Sequence, residues 1–362
     1  MRAAVVSLGS VSSKWTVDAM RKYFDEVDSI NIKFLEITFS GKKAKILYKG
    51  EPLPNYDCIL AKGSFRYANV LEALTLMRGV SCYMPIDHSA FTVAHDKLLT
   101  QLELQKHNLP MPKTYMAATV NAARSILERL NYPIIMKFPQ GTQGKGVMFA
   151  DSKSSAASLL DALVALNQPF IIQEYIETGG SDVRALVVGG RVVAAMKRKA
   201  QKEEKRSNIH AGGTGEAIEL TRELINIALD TAKALKVDVC GVDILESPLG
   251  PLVIEANISP GLQGLSKAVT VDVPNEIAKH FFLQTEAVVK KKKHIEEKKA
   301  LEELKLEDIN SNHAQEIITN LQFRGERILL PEIVSKLCKF DDRKEYILKI
   351  KKGKLEVEEF KI

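Results

Sequence analysis

The stretch VRALVVGGRVVAAMKR, residues 183 to 198, constrains the fold more than any other part of this chain. Two runs rich in valine and alanine flank Gly189-Gly190, and a glycine pair between β-prone runs folds the chain back as a tight antiparallel hairpin. A second pair of strands follows, CGVDILES (240 to 247) and PLVIEANIS (251 to 259), joined by Pro248 to Gly250. Between the two pairs, the run after Thr221 places Leu224, Ala228, Ala232 and Leu235 on one face, which predicts a helix with Thr221 as its N-cap.

Upstream, AAVVSL (3 to 8) and DCILAKG (57 to 63) read as buried strands. The stretch between and after them carries helical periodicity, so a small open α/β unit is expected there. From His95 the pattern changes. HDKLLTQLELQKHNLPMPKTY sets Leu98, Leu102, Leu104 and Leu109 around a helix that stops at Pro110 and Pro112, and a second unit starts here. Strands are predicted at YPIIMKF (132 to 138), GVMFA (146 to 150) and PFIIQEYI (169 to 176), with an amphipathic helix at 152 to 166.

A chain of 362 residues exceeds one average domain and predicts two or three, each with its own core. No run of 18 apolar residues appears, and the N-terminus MRAAVVSLGS lacks the apolar core and cleavage site of a secretory signal, so a cytoplasmic protein without membrane association is expected. Cys58, Cys82, Cys240 and Cys338 form no CxxC or Cys/His pair, which argues against structural zinc and disulfides. The formal net charge of +6 is moderate for a chain of this length.

The segment MKFPQGTQGKGVMF (136 to 149) holds glycines at 141, 144 and 146 and a lysine at 145. It is not a P-loop, because Gly146 follows Lys145 where Ser or Thr is needed. Nor is it a dinucleotide fingerprint, since Val-Met-Phe follows Gly146 and no helix starts there. What remains is a backbone-rich hairpin that either covers phosphates with amides and one or two lysines or is a mobile surface turn. Asp243 lies on one strand of the later pair, with Glu255 and Asn257 two apart on the next. Residues two apart share a face, so three oxygen side chains converge, a donor set that suits magnesium. A carboxylate among Val253, Ile254 and Ala256 is costly to bury without a partner; the alternative is a strand end with solvated acids.

In order, HDK (95 to 97), PIIMKF with GTQGKGV, IIQEYIE, SDVRALVVGG, KRSNIHAGG (205 to 213), GVDIL and VIEANISPG resemble the ATP-grasp superfamily and, within it, the RimK-like amino-acid ligases of the glutamate-adding type. The resemblance covers residues 1 to 285. It implies an α/β and α+β chain: an N-terminal open α/β domain (1 to 94), then an ATP-grasp domain (95 to 285) whose two α+β subdomains, 95 to 172 and 173 to 285, enclose ATP. It implies that Lys97 and Lys137 contact phosphates and that the loop carrying Gly141, Gly144, Lys145 and Gly146 closes over them. Gln173, Glu174, Tyr175 and Ile176 would hold adenine, Asp182 the ribose side, and Arg206, Ser207 and Asn208 further parts of the nucleotide. Asp243, Glu255 and Asn257 would bind two magnesium ions, with manganese able to stand in. The implied activity is carboxylate–amine ligation through an acyl phosphate. The substrates would be an amino acid, glutamate first, and an acceptor carboxylate on a protein tail or a cofactor. Arg198 is the candidate cation facing the acyl phosphate; the other reading is a strand-end arginine in water. His95 is assigned no role. Ala211 stands where glutamate-adding members carry a basic residue, which loosens the assignment of glutamate.

Two other readings stay open: a regulatory or nucleic-acid-associated protein that keeps the ATP-grasp frame, and a ligase that joins two small molecules. The segment VVKKKKHIEEKKALEELKLED (288 to 308) mixes lysine and glutamate blocks at helical spacing, so 286 to 308 is expected to be a solvated connecting helix. Its acids cancel the KKKK run, which argues against nucleic acid. Residues 309 to 362 form a small module ending in a hairpin, in which Tyr346, Leu348 and Ile350 alternate, KKGK turns, and Leu355 and Val357 alternate back. It resembles the swapped-hairpin modules of AbrB-like proteins, and a homo-oligomer is expected.

Overall fold

The computed structural model describes residues 1–41, 43–79, 82–141, 146–199 and 214–303, and in the last part 322–324, 327–330, 334, 338, 340, 341 and 343–360. It divides into two compact units, Met1–Val289 and Lys290–Ile362.

The first unit opens with β1 (Arg2–Ser7), α1 (Val11–Met20), β2 (Glu26–Asn31), β3 (Leu35–Ser40), β4 (Lys43–Tyr48), β5 (Glu51–Pro52), β6 (Cys58–Ala61), α2 (Ala68–Arg78) and α3 (His88–Ala94). β1 is flanked by β2 and β6, both parallel to it. A parallel strand covered on both faces needs a continuous apolar run, and Ala3, Ala4, Val5 and Val6 supply one. The helical periodicity read between the two strands is realised only in α1. Residues 35 to 52 instead form an antiparallel meander, β3-β4-β5, turned at Gly41 and Gly50, whose φ of 55° and 83° a side chain would disfavour.

Next come α4 (Lys97–Lys106), β7 (Thr114–Tyr115), α5 (Val120–Arg129), β8 (Ile134–Lys137), β9 (Val147–Ala150), α6 (Lys153–Ala165) and β10 (Ile171–Glu174). The strands pair in the order β7-β10-β8-β9. α4 ends before Pro110 as the sequence reading required, but its buried face is Thr100, Gln101 and Leu104, and Leu102 is exposed. Of the leucines expected around this helix, Leu104 and Leu109 are buried.

Then follow β11 (Ser181–Val188), β12 (Arg191–Lys199), β13 (Thr214–Ala217), α7 (Arg222–Ala234), β14 (Val239–Ser247), β15 (Gly250–Asn257), α8 (Gln263–Ala268) and α9 (Val273–Glu303). The sheet order is β13-β12-β11-β14-β15, all antiparallel. Gly189 and Gly190, with φ of 57° and 78°, make the expected turn between β11 and β12. Thr221 caps α7 through its hydroxyl, and Leu224, Ala228, Ala232 and Leu235 are all buried.

The apolar core divides this unit along a line that the sequence does not mark. One core joins the β1 sheet to the β11–β15 sheet, running from Val5 and Leu71 to Val242 and Phe281. A separate, smaller core lies inside residues 123 to 172, around Ile134, Met136 and Leu160. At the joint of the larger core the backbone NH of Asp238 donates to the Pro85 carbonyl (2.8 Å), and the Tyr83 hydroxyl donates to the Asp238 carboxylate.

The connecting helix expected from 286 to 308 is the later part of α9, which starts at Val273 and is described as far as Glu303. The second unit contains β16 (Gln322–Arg324) paired with β17 (Arg327–Leu329), and the predicted terminal hairpin, β18 (Tyr346–Lys351) with β19 (Lys354–Glu359). Among the described residues no helix is long and apolar enough to cross a membrane.

Candidate active site

A cavity of about 860 Å³ lies against all three parts of the first unit, within the range of pockets that hold a nucleotide-sized ligand. Its walls carry Lys97, Lys137, Gly141, Gln173, Glu174, Tyr175, Ile176, Asp182, Arg198, Asp243, Glu255 and Asn257. Residues as far apart in sequence as Lys97 and Asn257 therefore meet in one place. Gly144, Lys145, Arg206, Ser207 and Asn208, with Ala211, lie outside the described residues.

Lys97 begins α4, capped by the Asp96 carboxylate, and its ammonium donates to the Gly141 carbonyl at 2.9 Å, tying the helix to the start of the glycine loop. At the other end of that loop Gly146 has φ 78°, and a Cβ there would stand 2.2 Å from the Phe138 ring. Only glycine fits this point. Lys137, at the end of β8, is buried and donates to Gln173 Oε1 at 2.8 Å; the Gln173 amide nitrogen donates to Thr114 Oγ1 at 2.8 Å. Burial, and then the charge of Lys97, lower the Lys137 pKa to about 8 against the opposing pull of Glu255. An anion arriving beside this lysine would favour its charged form.

At the sheet end, β14 and β15 place Asp243 opposite Glu255, and Gly241 opposite Asn257, through a register shift between Asp243 and Ile244. What spacing alone could not show is Arg184, which register puts opposite Asp243 on β11. Arg184 grips the Asp243 carboxylate through Nε and Nη2, and Arg198 adds an Nη2 contact at 2.8 Å. Burial favours neutral Asp243, but the two guanidinium charges outweigh it and hold the carboxyl below its usual range. Arg198 also makes two bonds of 2.6 Å to Asp182. Instead of standing free before a substrate, Arg198 joins two buried acids, and Asp182 is held by it at the cavity wall. Asn257 Oδ1 accepts from the Ser259 backbone NH at 2.9 Å, which fixes its amide.

Asp243, Glu255 and Asn257 fit magnesium by donor chemistry: two carboxylates and an amide oxygen face one cavity, and the arginines neutralise one carboxylate without using all its lone pairs. Among the described residues no group of three or more His, Cys, Asp and Glu side chains gathers, so a metal here depends on the amide as third donor.

Among the wall residues that the sequence reading missed, besides Arg184, are Lys62, Ser259 and Gln101. Lys62 follows β6, Ser259 follows Asn257, and Gln101 lies one turn after Lys97, with neither atom of its buried amide paired. The i,i+4 spacing from Lys97 was the signal available for Gln101. His95 has a structural role: its ring nitrogens lie 2.7 Å from the Phe91 carbonyl and 3.1 Å from that of Gly63, tying α3 to the turn after β6.

The model of the RimK-like ATP-grasp domain matches residues 94–281. A protein of Marinomonas sp. named "Probable alpha-L-glutamate ligase" is 36% identical over 288 residues, covering 77% of this chain and 95% of its own. One of the same name from Vibrio atlanticus is 37% identical over 259 residues, 70% of this chain and 85% of its own. Among solved structures, the ATP-grasp ligase PsnB with a minimal precursor, Mg and ADP superposes with a TM-score of 0.61 at 18% identity, covering 79% of this chain and 98% of its own. A RimK domain ATP-grasp protein of Sphaerobacter thermophilus gives 0.60 at 17%, covering 77% and 99%. By the family model and by identity over most of its length, the chain belongs to the RimK-like ATP-grasp family.

Proposed function

We propose that this protein is an ATP- and magnesium-dependent ligase that joins an amino acid, glutamate first, to the carboxylate of a protein C-terminus or a cofactor. The observation that carries this is the convergence of Lys97, Lys137, Gln173, Glu174, Asp243, Glu255 and Asn257 on one cavity. The names of the relatives support glutamate. A carboxylate is a poor electrophile. In the proposed reaction its oxygen attacks the γ-phosphorus of ATP, the bond to ADP breaks, and the amine nitrogen then attacks the acyl carbon, loses a proton and expels phosphate.

Each group has a task its chemistry permits. Lys97 and Lys137 offer ammonium groups to the phosphates, and the Gly141–Gly146 loop offers backbone amides. Tyr175 and Ile176, beside Glu174, give the base a half-apolar seat, and Asp182 accepts from sugar hydroxyls. Asp243, Glu255 and Asn257 would hold two magnesium ions, which neutralise charge on the transferring phosphoryl group. Arg198 holds Asp182 and Asp243 in place.

Glu255→Ala and Asn257→Ala are expected to abolish ADP formation in a screen of amino acids and acceptors while leaving the fold intact by circular dichroism. Normal turnover by Glu255→Ala with magnesium would overturn the site. The expected homo-oligomer rests on the terminal hairpin, whose Leu348, Ile350 and Leu355 are exposed among the described residues. Light scattering of the full chain decides it.

A further inference from the structure

Of the cavity's cations, Lys62 has no use in the site described so far. Arg184 and Arg198 are bound to Asp182 and Asp243, Lys97 to the Gly141 carbonyl, and Lys137 to Gln173. Among the described residues no hydrogen-bond or ion-pair partner reaches the Lys62 ammonium, although the side chain lines the cavity. It keeps part of its surface on the cavity, yet enough protein surrounds the charge for burial to lower its pKa to about 8. An amine held this way, with no anion near enough to pair among the described residues, stands ready for an anion from outside.

The surroundings point to the same thing. β1 and β6 are adjacent and parallel, so their carboxyl ends open side by side onto the cavity. Crevices at the carboxyl ends of parallel strands are where open α/β sheets bind ligands. From β1 the chain turns through Gly9 (φ 76°) into α1, whose first turn holds no acidic residue, and Ser7, Ser10 and Ser13 line the cavity here. The N-terminus of this ten-residue helix therefore adds backbone NH groups and a positive dipole end beside Lys62. The segment is also fixed to the metal end of the cavity and not to the adenine end. The Gly63 NH donates to Ser259 Oγ (3.3 Å), and the Ser259 NH donates to Asn257 Oδ1 (2.9 Å).

We propose that Lys62 and the first turn of α1 form the subsite for the carboxylate substrate, holding it on the wall of the N-terminal sheet. This rests on the ligase reading above and adds the residue that selects an acid as substrate. ATP would occupy the lysine and glutamine walls, and the acid would meet it from the opposite side.

The test uses the full-length protein and two probes, tri-L-glutamate and the non-hydrolysable analogue AMPPNP with magnesium. Limited acetylation at pH 8 with an N-hydroxysuccinimide ester is followed by peptide mass spectrometry. Tri-L-glutamate should slow acetylation of Lys62 at least fivefold, and AMPPNP should slow Lys137 while leaving Lys62 within twofold. By calorimetry, Lys62→Met should weaken tri-L-glutamate binding about tenfold, Lys62→Arg should restore it to within threefold, and both should bind AMPPNP normally. Equal protection of Lys62 and Lys137 by AMPPNP would place Lys62 in the nucleotide site and overturn the proposal. So would unchanged tri-L-glutamate binding by Lys62→Met. Failure of the ligase reading appears separately, as Lys97 and Lys137 unprotected by AMPPNP.

Discussion

Replacing Arg198 with methionine keeps the apolar stem and removes the guanidinium that joins Asp182 to Asp243. The three side chains are 8%, 4% and 5% exposed, so the charges left behind stay out of water. Breaking a buried pair by deleting one partner costs about 3–5 kcal/mol, because the remaining charge is uncompensated. Asp243 keeps Arg184, whereas Asp182 loses both of its 2.6 Å bonds from Arg198, which places the expected loss at the lower end, about 3 kcal/mol. At roughly 2–4 °C per kcal/mol for units of this size, the melting temperature should fall by roughly 6–12 °C. The single tryptophan, Trp15 on α1, reports the first unit alone, so its emission during heating is the assay. Adding Asp182→Asn removes the stranded charge and should recover about 1 kcal/mol or more. A melting temperature within 2 °C of wild type for Arg198→Met, or no recovery in the double variant, would refute the argument that this arginine holds two buried acids.

Gly146→Ala meets two obstacles, a φ of 78° and the Phe138 ring 2.2 Å from the new Cβ. It should cost about 1–3 kcal/mol and raise the KM for ATP, with Phe138→Ala in the same chain relieving the clash but not the backbone strain; wild-type kinetics would refute this. ATP affinity should fall as pH rises through about 8, up to tenfold per unit, because free Lys137 sheds its proton there and must regain it on binding phosphate; titrations at pH 7, 8 and 9 with one dissociation constant would overturn the assignment. The Asp243 carboxyl, held low by its arginines, contributes stability that is present above about pH 4 and lost as pH falls through its folded value, so Arg184→Met should flatten acid unfolding monitored by Trp15 emission. A chain ending at Val289 keeps the buried Phe281 and Thr285 and should fold and bind ATP; its failure to bind would show that the second unit belongs to the catalytic body.

The sequence made the β11–β12 hairpin legible, because period-two alternation and a glycine pair act locally. That Glu255 and Asn257 share a face was legible for the same reason, whereas the pairing of Asp243 with Glu255 depends on a register shift that no local pattern shows. The β3–β5 meander was not, since its short, mostly exposed strands mix lysines with apolar residues and give no clean period. Arg184 escaped notice because its meeting with Asp243 depends on the register of two strands 59 residues apart. Arg198 was picked as a free cation, and no local pattern could have shown that tertiary packing would give it two acids. Lys62 read as the end of a buried strand; its place in the cavity comes from β1 and β6 lying side by side.

The two cores of the first unit imply two different stabilities. Among the described residues about ten buried ones hold the lobe of β8–β10, α5 and α6 together, whereas the other core spans the three remaining sheets. Amides of this lobe should exchange with deuterium through a partial unfolding that leaves β1 and β11–β15 protected, as separate cooperative units do. The glycine loop joins β8 to β9 within that lobe. A nucleotide seated against this loop would meet the part of the first unit with the smaller core, while Asp243 and its arginines lie on strands of the larger one.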